Sequence, residues 1–328
     1  MFAPVQNLML KLATTLIILL ASISMSVLAA PVGYSINSDS PTGNADSLYR
    51  IDLGTGTETR IASINPPKID VEGLAFAPDN TLYAVDDETR SLFPLDPATA
   101  AIDTQSEAFI AGLPSGGQND FGMTFACDGN LYVTSIARGS LYRLELDGST
   151  TLIGSEGSLN PVKIGAIAAW GSPVQLYGLG SGANSEGQTE TPNLYRIDLA
   201  TGVASEIGPL GGQAGPYLQG GLSFDDAGEL WAITEGAQFG WPSQIMKIDP
   251  DKGTASAVRT LVEEGFESLA IAPPGGCDSN VEPPPPPPPP APPQQIDDVR
   301  SVPTMDRVGL AIASILLLLT GLLAVRRV

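Results

Sequence analysis

A six-residue phrase recurs five times along this chain, and its spacing restricts the fold more than any other feature. Leu48-Tyr49-Arg50-Ile51-Asp52-Leu53 returns as Leu92-Phe93-Pro94-Leu95-Asp96-Pro97, Leu141-Tyr142-Arg143-Leu144-Glu145-Leu146, Leu194-Tyr195-Arg196-Ile197-Asp198-Leu199 and Ile245-Met246-Lys247-Ile248-Asp249-Pro250. Successive copies start 44 to 53 residues apart, a period that belongs to propeller blades or solenoid turns. Two shorter apolar runs precede most copies, as in Gly73-Leu74-Ala75-Phe76 with Leu82-Tyr83-Ala84-Val85, Gly122-Met123-Thr124-Phe125 with Leu131-Tyr132-Val133, and Gly221-Leu222-Ser223-Phe224 with Leu230-Trp231-Ala232-Ile233. Short alternating runs cut by Asp, Asn, Gly and Pro are antiparallel strands. A fourth strand after each Asp-led turn, such as Glu58-Thr59-Arg60-Ile61, makes every repeat a four-stranded sheet. The expected fold is all-β, a β-propeller.

Counting the blades gives five. The first repeat opens at Tyr34-Ser35-Ile36 without an inner strand, and Ser268-Leu269-Ala270-Ile271-Ala272-Pro273 near the far end is an inner strand without partners. Joined, they complete one blade and close the ring; a sixth blade would need a further repeat. The propeller spans 31–282.

With strands a to d running outward from the axis, the b–c and d–a loops share one face. On it fall the long irregular segments 106–119, 181–193, 209–220 and 236–243. Irregular loops on a rigid scaffold are where binding residues concentrate. Three groups stand there. Glu72 and Glu267 precede the inner strands of neighbouring blades, with Asp70, Asn119 and Asp120 close in the ring; such oxygen donors suit Ca²⁺, and the plainer reading is a solvated acidic rim. Phe239, Trp241 and Tyr217 offer rings to sugars or partner surfaces, or fold back onto the blades. Asp86-Asp87-Glu88 with Glu235 supply the paired carboxylates of glycoside hydrolysis, provided one is held protonated.

Composition removes several functions. The chain has no histidine, which excludes Ser-His-Asp and Cys-His nucleophile systems and the usual zinc ligation. Gly178, Gly180 and Gly182 have no helix after them, so they form a loop rather than a phosphate cradle. A net charge of −20 repels nucleic acid. The Asp of each repeat reads as the former of the c–d turn. Cys127 and Cys277 both follow inner strands and so share the lower face. They belong to non-neighbouring blades, so a disulfide requires the C-terminal segment to cross the axis.

The two ends read differently from the body. Leu12 to Leu28 is apolar and closes in Val27-Leu28-Ala29-Ala30-Pro31, a signal peptide occupying 1–30 with cleavage after Ala29. From Pro283 to Pro293 only Ala291 is not proline, which makes a polyproline II rod of roughly 34 Å within a stalk at 283–301. Val308 to Val325 is an uncharged run of 18 residues, long enough as a helix to cover about 27 Å of bilayer. Arg326 and Arg327 after it favour a cytoplasmic C-terminus.

Val302-Pro303-Thr304-Met305, Gly309, the apolar span and the final arginine pair together resemble the IPTL-CTERM variant of PEP-CTERM sorting tails, over about the last 27 residues. The resemblance implies an exosortase-type processing enzyme as partner, acting near Pro303-Thr304. It further implies transient inner-membrane anchoring and final residence on the surface or in the matrix of a Gram-negative bacterium. The body, in general terms, resembles propellers of surface and periplasmic proteins. Together these readings lead to an exported, non-catalytic binding module for extracellular polysaccharide or surface protein. The alternatives are a Ca²⁺-dependent hydrolase or lactonase-like propeller using Glu72 and Glu267, and a purely structural surface protein. An enzyme requires a closed acidic pocket on the axis; a binding module requires exposed aromatic rings around an open face.

Overall fold

The computed structural model describes residues 30–277, apart from 39, 42, 44, 69, 115–119, 184–187 and 239. The signal segment, the proline stalk and the sorting tail lie outside the described residues, as do Asn119 and Phe239. All described residues fall within the first of the chain's two units, Met1–Pro286.

They form five four-stranded antiparallel sheets. The first blade holds β1 (Val32–Ile36), β2 (Ser47–Asp52) and β3 (Thr57–Ser63); the second holds β4 (Val71–Phe76), β5 (Leu82–Asp86), β6 (Ser91–Leu95) and β7 (Ala108–Phe109). The third is β8 (Met123–Phe125), β9 (Leu131–Ser135), β10 (Ser140–Leu144) and β11 (Thr150–Ile153), and the fourth β12 (Ile164–Trp170), β13 (Gln175–Gly180), β14 (Asn193–Ile197) and β15 (Ala204–Pro209). The fifth is β16 (Tyr217–Phe224), β17 (Leu230–Gly236), β18 (Pro242–Ile248) and β19 (Ala255–Glu264). The remaining strand, β20 (Ala270–Ile271), pairs with β1 through Gly33↔Ile271 and Tyr34↔Ala270 and supplies the inner strand of the first blade. This closing ladder is shorter than the sequence suggests. Ser268 extends it with its side chain, its hydroxyl accepting from the Ile36 N–H at 3.2 Å.

The repeated phrase lies on each third strand, and its alternation explains the ring. The first residue of each copy packs toward the next blade and the second toward the preceding one. Leu48 joins the core between the first and second blades, and Tyr49 the core between the fifth and first. Leu194 and Tyr195 divide in the same way between the two sides of the fourth blade. Both faces of every sheet are therefore covered, and each buried Leu contributes about 1.5–3 kcal/mol. The basic third residue stands opposite an aromatic on the second strand: Arg50↔Tyr34, Arg143↔Tyr132, Arg196↔Tyr177 and Lys247↔Trp231. The Arg196 guanidinium lies 3.9 Å from the Tyr177 ring centre and Lys247 Nζ 4.9 Å from that of Trp231, cross-strand contacts that stabilise each sheet.

The acidic fifth residue does form turns. Asp52 Oδ1 accepts from the Thr55 N–H, Asp198 Oδ1 from Ala200 and Thr201, and Asp249 Oδ1 from Asp251 and Lys252. The second blade departs from the pattern: after Asp96 the chain makes a further turn at Asp103 before β7, a fourth strand of only two residues.

Below the axis, the chain after β20 crosses the lower mouth of the channel. Gly275 C=O accepts from the Gly171 N–H at 3.2 Å, and Cys277 reaches Cys127 in a disulfide with Cα atoms 4.9 Å apart. Gly276 adopts φ +69°, and a side chain there would come within 2.7 Å of the Gly171 nitrogen. This crossing joins cysteines of non-neighbouring blades. Pro274 and Gly275 thus floor the lower channel, beneath Phe76, Phe125 and Phe224.

Candidate metal centre

Three inner strands carry a bulge at their upper ends. In the second blade Val71 faces Asp86 but Gly73 faces Val85, so Glu72 is an extra residue in the ladder. The fourth blade has the same irregularity at Gly165, between Ile164 and Ala166, and the fifth has it between Tyr217 and Gly220. A bulge re-aims a side chain that simple alternation would send into a sheet face. Here the site residues Glu72 and Gln219 occupy bulges.

Glu72 meets Asp70 and Asp87, one carboxylate oxygen from each lying within 4.8 Å of the others. Glu72 and Asp87 are buried and Asp70 is half-buried. Glu267 hydrogen-bonds Glu72, and Asp120 adds its charge to the field on both Glu72 and Asp87. The neighbouring Asp86 plays a different part: its Oδ1 accepts from the Thr89 N–H and hydroxyl, both at 2.7 Å, and its Oδ2 from the Asp70 N–H at 3.3 Å. Asp86 therefore shapes the loop that presents Asp87. Glu88 is exposed, and Glu235 is buried at the end of β17. The expected grouping of Asp86, Asp87, Glu88 and Glu235 thus divides, with Asp87 joining Asp70 and Glu72 in the tightest set.

Burial, followed by the charges of Asp120, Asp70 and Asp87, raises the Glu72 pKa well above the ordinary carboxylate range. Burial, with Asp70 and Asp120 next, pushes Asp87 up to about 8. Basic groups on the same side are engaged elsewhere: Lys68 Nζ binds Ser91 and Glu107, and Lys163 pairs with Glu190 at 2.8 Å. Asp87 is 1% exposed, and its Oδ1 has no hydrogen-bond partner among the described residues. A buried carboxylate oxygen in this condition is costly without a proton or a cation. The donors are all oxygen, with neither nitrogen nor sulfur, so the set fits a hard divalent cation such as Ca²⁺.

The expected aromatic group divides. Tyr217 is 2% exposed and donates its hydroxyl proton to Gly180 C=O at 2.7 Å, while Trp241 is 47% exposed and Phe239 lies outside the described residues. Tyr217 turns inward because a fully buried ring with a satisfied hydroxyl is more stable than the same ring in water.

Residues 33–160 match the family DUF6923, a repeat of unknown function. No curated protein matches the chain. Among solved structures, the chain is similar to virginiamycin B lyase from Staphylococcus aureus, at 16% identity over 71% of this chain and 70% of that one, with a TM-score of 0.37. It is similar also to a structure titled as a putative gluconolactonase (15% identity, 74% and 81% covered, TM-score 0.41) and to luciferin-regenerating enzyme (16%, 68% and 72%, 0.40).

The expectation of a non-catalytic binding module is corrected here. The channel mouth gathers buried carboxylates, Asp70, Glu72 and Asp87, that could hold a metal ion, which is the arrangement the enzymatic alternative requires. The membrane span expected at 308–325 lies outside the described residues. Among the described residues no helix is long and apolar enough to cross a membrane.

Proposed function

We propose that the chain is a divalent-cation-dependent propeller hydrolase acting on a lactone or a similar ester. Asp70, Glu72 and Asp87 would hold the cation, with Glu267 and Asp120 beside it. The observation that carries the reading is the convergence of three carboxylate oxygens within 4.8 Å, one of them buried and unpartnered. When bound, such a cation supplies Lewis acidity toward a carbonyl oxygen and toward water. The chain contributes the rest: the inner strands hold the carboxylates in place, and Glu267 and Asp120, outside the tightest set, are the groups placed to accept a proton. An oxygen nucleophile activated by histidine is excluded by composition.

The test is hydrolysis of a panel of γ- and δ-lactones and aryl esters by the full chain, with Ca²⁺ and after chelation. We expect turnover with Ca²⁺ and a loss of at least about 100-fold on chelation, with Glu72→Gln weakening Ca²⁺ binding by at least about 10-fold. Hydrolysis indifferent to chelator, or a purified protein that takes up no Ca²⁺ in equilibrium dialysis, would overturn the reading.

A further inference from the structure

Among the described residues, the fourth blade has no acid at its inner-strand bulge. At the bulge where the second blade has Glu72, it has Gly165, and a side chain there would lie 2.6 Å from Gln219 Oε1. The empty position is filled from the fifth blade. Gln219, on the β16 bulge, extends over Gly165; its amide nitrogen donates to Asp120 Oδ2, and its oxygen accepts from the Ser181 hydroxyl at 3.0 Å. Ser181 is buried, and its N–H donates to Lys163 C=O at 2.8 Å. The chain Ser181–Gln219–Asp120 therefore spans the fourth, fifth and third blades and ends on a carboxylate whose charge acts on Glu72 and Asp87.

We infer that Gln219 is a positioning residue for the channel-mouth cation site, clamping Asp120 in place beside the Asp70–Glu72–Asp87 set. This inference rests on the proposed cation site. A primary amide suits the task because its donor grips Asp120 while its acceptor is oriented by Ser181, so the amide is held in one sense. A carboxylate at the same position has no proton to give Asp120. Groups that orient metal ligands commonly account for 10- to 100-fold in affinity. The fourth-blade glycine and the bulged fifth-blade glutamine are thus two halves of one arrangement: glycine leaves the space, and the bulge aims the amide into it.

The experiment is calorimetric titration of the full chain with Ca²⁺ alone, for wild type, Gln219→Ala, Gln219→Glu, Asp120→Asn and the double variant Gln219→Ala/Asp120→Asn. Near-ultraviolet circular dichroism confirms that each is folded. Expected are losses in affinity of about 10-fold for Gln219→Ala and at least as much for Gln219→Glu, which keeps the side chain's size. In the Asp120→Asn background, Gln219→Ala should cost less than about two-fold, because its effect passes through Asp120. Full additivity in the double variant, or a Gln219→Glu protein that binds as wild type does, would overturn the clamp. Absence of Ca²⁺ binding by wild type itself would overturn the underlying site, and the clamp with it.

Discussion

Ca²⁺ should raise the melting temperature of the purified protein by about 5–10 °C near pH 8, and by much less near pH 5. The expectation follows from the carboxylates at the channel mouth. The Asp87 pKa rises from 3.8 to about 8, and that of Glu72 rises as well, because burial and their acidic neighbours favour the protonated forms. A carboxyl group with a raised pKa in the folded state keeps its proton where the unfolded chain has released it. Without metal, stability is therefore unaffected by Asp87 below about pH 4, falls as the pH rises, and levels off above about pH 8, with Glu72 acting in the same direction. The turn-forming Asp52, Asp198 and Asp249 have lowered pKa values, so their contribution is present above about pH 4 and disappears only in acid. They are largely exposed and contribute little. Between these limits the buried cluster dominates. A cation relieves the repulsion only where the carboxylates are ionised, so its benefit is largest at the alkaline end. Asp87→Asn should remove most of the Ca²⁺ response and raise the melting temperature of the metal-free protein near pH 8. Scanning calorimetry at the two pH values, with chelator and with Ca²⁺, measures both effects. A metal-free protein equally stable at the two pH values would contradict the electrostatic account of the site.

Removal of the disulfide has the other large expected effect. Cys127 and Cys277 are 150 residues apart, and freeing a loop of that size returns about 5 kcal/mol of conformational entropy to the unfolded chain. For a domain of this size that corresponds to a fall in melting temperature of about 10 °C or more. The double variant Cys127→Ala/Cys277→Ala should show it, as should wild type in excess reductant, with a lower urea midpoint and a steeper slope because the unlinked chain exposes more surface when unfolded. The loss should be felt first in the crossing segment 273–277, whose amide protons ought to exchange sooner than those of β20. A reduced protein melting within about 2 °C of the oxidised form would show that the closing strand and its packing hold the ring without the covalent link. The location of the bond makes this outcome informative, because it ties the strap below the channel to the third blade.

Much of the fold was legible because the information is local. Leu-Tyr-Arg-Ile-Asp specifies a strand with two buried faces, a cross-strand cation and a turn, all settled by contacts within one repeat or with its neighbours. The split blade at the two ends followed from counting strands, and β20 pairs with β1 accordingly. The site was legible in part. Asp70 and Glu72 were identifiable from their place before an inner strand, but Asp87 was grouped with Asp86 and Glu235, since adjacent acids in a loop carry no mark of which one turns inward. The choice is made by hydrogen bonds, with Asp86 holding Thr89 and the Asp70 backbone. For Tyr217 the sequence allowed either an exposed ring or one folded back onto the blades, and the choice is made by its hydroxyl, which finds Gly180 in the neighbouring β13.

By itself, then, the sequence determined the blade, the count of five, the closure and the exclusion of histidine chemistry. Each of these depends on periodicity or composition, which are properties of the chain in one dimension. The tertiary structure decided which carboxylates converge, that Gln219 lies over Gly165, and that the strap brings Cys277 to Cys127. Those outcomes depend on single-residue bulges that reverse the direction of a side chain, and on ring closure that joins segments up to 150 residues apart. Neither leaves a periodic trace, so only the assembled ring reveals them.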